Sequence, residues 1–163
     1  MNSQLAIVGI KRVLVVCVAL FIVFSTAALA GDFFQDTFDI CNKVLYSVEV
    51  YDVVKGYNKG YVTKEKALEL LNGARNLAFE KSTYWYMLYQ KEWPSFRSLE
   101  DVVSNFFAAR IGAISYAIYI IEEGKIEPGI TSSPELLAMS GLNVVQVSAI
   151  VSMQNELTRL GWE

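Results

Sequence analysis

LEDVVSNFFAARIGAISYAIYII, residues 99–121, is the longest apolar stretch beyond the amino-terminal thirty residues, and it holds one cation, Arg110, at its middle. Successive residues about 100° apart put Leu99, Val103, Phe106, Ile114, Ala117 and Ile121 on one side and Asp101, Asn105, Gly112, Tyr116, Tyr119 and Glu123 on the other. The stretch reads as the central amphipathic helix of a bundle. Ser98 stands where an N-cap belongs, and Glu100 and Asp101 suit the positive end of the helix dipole. A membrane span over Val102 to Ile121 has the length, but Arg110, Asn105 and the polar stripe make it expensive.

Working outward, Phe34, Phe38, Cys41, Leu45 and Val48 step by four and three, which predicts a first helix from about Asp32 to Lys55. Gly56, Asn58 and Gly60 interrupt it. Thr63 is placed to cap a second helix with the face Ala67, Leu70, Leu71, Ala74, Leu77, Ala78, Trp85 and Leu88, stopped by Pro94. Beyond the central helix, Gly124, Pro128 and Gly129 make a break, and Ser133, Pro134 and Glu135 signal a fourth start. That last segment is irregular: its apolar face drifts between Val144, Val147, Val151 and Ile150, Met153, Leu157, and a kink or break is expected near Gly141. Four such segments with short connections predict an all-α, antiparallel up-down-up-down four-helix bundle.

The amino terminus is different in kind. Lys11 and Arg12 precede an uncharged apolar run, and Ala28-x-Ala30 supplies the small residues of a cleavage site, so residues 1–30 read as a signal peptide cut before Gly31. An uncleaved anchor over residues 13–30 is the alternative, at the short limit for spanning hydrocarbon. A lipoprotein is not indicated, since Val16 precedes Cys17 and the apolar run continues past it. Residues 31–163 are then expected to form one helical-bundle domain, exported to the periplasm or beyond the cell. Losing Lys11 and Arg12 takes the formal net charge from -3 to -5. No basic patch for nucleic acid is left.

The chain has no His, which removes His-based metal and haem ligation and the Ser-His and Cys-His nucleophile machinery. Cys41 stands alone after cleavage, so neither a disulfide nor a thiolate metal site is expected, and its place on the apolar face of the first helix points to packing. No Gly-rich phosphate loop occurs. Asp36 with Asp39, Glu49 with Asp52 and Glu65 with Glu69 have helical spacing suited to sharing protons or a hard cation, but such pairs ordinarily mark a solvated face. The expectation is a non-enzymatic protein without cofactor or metal.

Two cations break the pattern. Arg110 is central to its apolar face, and Lys81 lies on the apolar face of the second helix at about the same height if the two helices are antiparallel. Buried cations need carboxylates, water or an anionic ligand. Asp52 is the best carboxylate by facing, so Arg110, Lys81 and Asp52 form a candidate internal site for an anionic or amphiphilic molecule; the alternative is a packed Lys81 stem whose ammonium reaches water. Tyr84, Tyr86, Tyr89 and Trp93 form the other dense feature, an aromatic helix end suited to a protein interface. The leading expectation is a cell-envelope protein that acts by binding an envelope protein or itself; the alternative is a small-ligand sensor or carrier. A cavity lined by Arg110 and Lys81 would favour the ligand, and a filled core the interaction.

Overall fold

A computed structural model of the chain describes residues 33–92, 97–129 and 133–161, and among these the regular structure is entirely helical. The chain divides between Asp36 and Thr37, and the following concerns the part beginning at Thr37. The expected signal peptide, and Trp93 and Pro94, lie outside the described residues. The helices are α1 (residues 33–45), α2 (Val50–Asn58), α3 (Lys64–Glu92), α4 (Arg97–Glu122) and α5 (Pro134–Arg159).

Helices α2 to α5 pack against one another in the expected bundle, and two contacts between helix ends fix the directions of the long ones. The Lys64 ammonium, at the start of α3, donates to the Glu122 carbonyl at the end of α4 over 3.0 Å. Ser98, in the first turn of α4, donates its hydroxyl to Glu156 near the end of α5 and accepts from Arg159 at 3.1 Å. The long helices therefore run alternately up and down, with α4 in the middle. Ser98 is not the N-cap, because the helix has already begun at Arg97.

The projection of α4 holds except at Tyr116, which was expected on the polar side and is half-buried against the core. Leu99, Val103, Phe106, Ile114, Ala117 and Ile121 are buried and Asp101, Asn105, Gly112 and Tyr119 are exposed. Against α4, α3 presents Ala67, Leu71, Ala74, Ala78, Trp85 and Tyr89, a seam stepping by threes and fours with one seven-residue step from Ala78 to Trp85. Leu70, expected on that face, is left at the surface. The upper core joins this seam to Val50, Val54 and Tyr57 of α2, Ile126 of the connection and Met139 of α5. Each fully buried aliphatic side chain contributes about 1.5–3 kcal/mol of transfer free energy. Lower down, the Trp85 indole N–H donates to the Thr37 hydroxyl at 2.9 Å, so the largest buried ring keeps a partner.

The other two expected caps form. Thr63 accepts from the Lys66 amide at 3.3 Å, and Ser133 accepts from the Leu136 amide at 3.1 Å with Pro134 opening α5. The connection into α5 is pinned to the end of α2, since Asn58 donates to the Glu127 carbonyl at 3.0 Å and the Gly129 amide donates to the Asn58 carbonyl at 2.7 Å. Gly129 sits at φ 95°, where a side chain would strain the backbone.

Two boundaries differ from the sequence expectation. The first helix is not continuous to Lys55: it stops at residue 45, residues 46–49 are non-helical, and α2 begins at Val50. The Ser47 hydroxyl donates back to the Val44 carbonyl at 2.7 Å, a local bond that competes with the helical ladder. The last helix, in contrast, runs unbroken through Gly141 and Asn143. A Cβ at Gly141 would meet nothing within 4 Å, so no packing demand makes glycine a hinge there.

A buried arginine and a candidate interaction surface

Arg110 projects from the middle of α4 and is 3% exposed, as its place on the apolar face requires. Its partners are not carboxylates. Nη1 donates to Gln146 Oε1 of α5 at 3.0 Å, and Nη2 donates to the carbonyls of Leu45, at 2.9 Å, and Val48. The last carbonyls of a helix have no intrahelical donor and carry the negative end of its dipole. Arg110 supplies that donor to α1 from a different helix, across the break before α2. One guanidinium thus joins three segments, and the break is the place where its carbonyls can turn inward. Burial pushes the Arg110 pKa below its ordinary value, and the charge of the exposed Glu49 opposes the shift. Its Nε is buried with no acceptor, an uncompensated cost within the cluster.

Asp52 and Lys81 do not share this site. Asp52 is exposed, because the break at residues 46–49 resets the helical phase and α2 turns Val50, Val53, Val54 and Tyr57 inward instead. Lys81 occupies a seam position between Ala78 and Trp85, but its four-carbon stem carries the ammonium outward to Glu80, at 2.6 Å, with the Tyr84 ring centroid 5.8 Å away. That hydrogen bond holds the Glu80 carboxyl below its ordinary pKa. Its neighbours along α4 are buried with it: Phe106, Phe107, Ala113 and Ile114 are each no more than 4% exposed. The clefts described next involve neither Arg110 nor Lys81.

The aromatic end of α3 divides into two. Tyr84 and Tyr86 are half exposed, beside the exposed Met87, as an interface would have them. Tyr89 is fully buried and stacks on Trp85 with centroids 5.2 Å apart, which corrects its assignment to the surface. The seam step from Trp85 to Tyr89 is the sequence signal for that burial. Trp93 lies outside the described residues. Cys41 is buried with its thiol pKa raised by desolvation, and the six acids of the helically spaced pairs are all exposed. Among the described residues no three acids or thiols gather as a metal site would require.

The surface feature missing from the sequence reading belongs to α5. Only Met139, Gln146, Met153 and Leu157 of this helix are buried, while Leu137, Val144, Val145, Val147 and Val151 are between 48% and 76% exposed. No charge interrupts α5 between Glu135 and Glu156. Both α4 and α5 are long and apolar enough to cross a membrane, but half of α4's most apolar window is buried against 17% for α5. Thus α4 spends its apolar residues inside the bundle and α5 does not. A groove of about 500 Å³ runs beside it, lined by Asn105, Ala108 and Ala109 of α4 and Val145, Ser148 and Ser152 of α5. A second cleft, about 570 Å³, lies between α2 and the start of α5, with Tyr51, Lys55, Lys59, Tyr61 and Leu137 on its walls.

Comparison with protein-family models, curated proteins and solved structures finds no match to this chain.

Proposed function

We propose that this is a non-enzymatic, exported helical-bundle protein of the cell envelope that acts by binding another protein. The observation that carries the reading is the uncharged, solvent-exposed outer face of α5. Exposed contiguous apolar surface costs solubility, and its usual use is a contact site. Arg110 adds support by being architectural: its donors go to main-chain carbonyls and Gln146, so it offers no charge to a ligand. Export rests on the signal layout of residues 1–30.

Photocross-linking in the native host tests the reading. With the reactive side chain at Val144 or Val151, the expected result is an adduct of one defined mass, identified by mass spectrometry; the same group at Glu69, on the charged face of α3, is expected to give none. Equal, heterogeneous adducts from both faces would overturn it. The intact mass of the purified chain checks export, with a mature start at Gly31 expected.

A ligand-binding reading is favoured by one observation, the cleft between α2 and α5, where Lys55 and Lys59 stand beside Tyr51 and Tyr61. It suits an anionic molecule with an apolar face. A small-molecule mass retained by the native chain and lost in Lys55→Glu would support it.

A further inference from the structure

The cleft between α2 and the start of α5, about 570 Å³, carries charge of one sign only among the described residues that line it. Lys55 and Lys59 stand on its wall, and the acids nearest in sequence, Asp52, Glu127 and Glu135, do not line it. Lys55 lies over the Tyr51 ring, 5.9 Å from the centroid, and neither ammonium has a carboxylate partner among the described residues. On a chain of formal net charge -3, such a recess is a local reversal of sign that attracts anionic groups. Resting on the protein-binding reading, we infer that this cleft receives an acidic segment of the bound protein. The segment is extended, with an apolar residue followed at alternate positions by two carboxylates.

Spacing sets that pattern. Tyr51, Lys55 and Lys59 follow one another at one-turn intervals along α2 and its C-cap, so ring, cation and cation stand in a row with steps of about 6 Å. An extended chain places alternate side chains on one face about 6.8 Å apart, which follows the row closely. A free phosphate or a single carboxylate would use the two cations and leave the Tyr51 ring and the side chains of Leu136 and Leu137 on the α5 wall without an occupant. Tyr51 and Leu136 both pack on the buried core, which makes the apolar end a firm seat.

The frame is held before anything binds. Asn58 donates to the Glu127 carbonyl at 3.0 Å, the Gly129 amide donates to the Asn58 carbonyl at 2.7 Å, and the Ser133 cap sets the start of α5. A recess whose walls are already tied together costs its occupant little ordering. Leu137 belongs both to this cleft and to the exposed apolar face of α5, so a protein seated on that face has the cleft within reach. Two cations on an acidic chain are too few to hold a polyanion such as nucleic acid.

Fluorescence anisotropy of the labelled peptide Phe-Ser-Glu-Ser-Glu, titrated with the full chain, tests the inference. Saturable binding is expected, weakened at least about fivefold between about 0.05 M and 0.5 M salt, because exposed ion pairs are screened. The double variant Lys55→Gln/Lys59→Gln changes only exposed side chains; it should keep its helical circular dichroism and lose at least about tenfold in affinity. Phe-Ser-Gln-Ser-Gln is expected not to bind, and Ser-Ser-Glu-Ser-Glu to bind at least about fivefold less well, since it leaves the apolar seat empty. No saturable binding of the acidic peptide, or binding indifferent to the double variant, would overturn the inference. Displacement of the peptide by an equal concentration of inorganic phosphate would also overturn it, by reducing the site to a small-anion site. Binding to phosphatidylglycerol vesicles that the double variant abolishes, with no peptide bound, would assign the cations to lipid instead. If the inference fails while Val144 still gives its defined photo-adduct, the protein-binding reading stands without the cleft; if the adduct is absent as well, both fall.

Discussion

Replacing Arg110 with methionine keeps the long unbranched stem and removes the guanidinium. Three acceptors lose their donor, the carbonyls of Leu45 and Val48 and Oε1 of Gln146. A buried acceptor left unmade costs about 1–3 kcal/mol, and relief of the desolvated charge and the unpaired Nε offsets part of the sum. The net expectation is a loss of about 3–4 kcal/mol, a large share of the stability of an ordinary domain. With a urea slope of about 2 kcal/mol/M, the unfolding midpoint falls by roughly 1.5–2 M. Gln146→Leu leaves Nη1 without an acceptor and is expected to destabilise as well, but the double variant should cost at least about 1 kcal/mol less than the sum of the singles, since each removes the other's partner. Amide exchange over residues 46–49 should accelerate before exchange in the core around Leu71. A midpoint shift below about 0.5 M, or additive singles, would refute Arg110 as the tie between α1, α4 and α5.

Three further expectations are independent of that network. Thr37→Val leaves the buried Trp85 N–H without its acceptor and should cost about 1–3 kcal/mol by urea unfolding. Gly141→Ala should stabilise by about 0.5–1 kcal/mol, because the position is mid-helix with open space around it; destabilisation would mean that the helix bends there. Glu156 is held at a pKa of about 2 by its hydrogen bonds from Arg159 and Ser98, against the burial that opposes them. A depressed carboxyl pKa contributes stability above the unfolded value near 4.5 that is lost as pH falls toward 2. The full shift corresponds to about 3 kcal/mol, and the exposure of Arg159 screens it to roughly 1–2 kcal/mol, which Glu156→Gln should remove from the acid limb of the stability profile.

The parts of the fold legible in the sequence were those in which residue identity carries the physics. The α4 projection placed Arg110 inside, and Thr63 and Ser133 announced their helices, because hydropathy period and side-chain caps are properties of named residues. The partners of Arg110 were hidden for the opposite reason: two of the three are main-chain carbonyls, which every residue has. Asp52 was misplaced because a four-residue break re-phases the helix that follows, and no glycine or proline marks that break. Lys81 did occupy a seam position, but a lysine stem can line a core while its charge leaves it. In α5 a buried face of Met139, Gln146, Met153 and Leu157 and an exposed apolar face around Val144, Val147 and Val151 averaged into an apparent irregularity, and burial alone separates them.

We propose that the molecule works through the outer face of α5 rather than through an internal site. Native mass spectrometry of the gently purified full chain tests it most directly. The predicted result is a chain that carries no small molecule. A chain that retains a small molecule through gentle purification would contradict it.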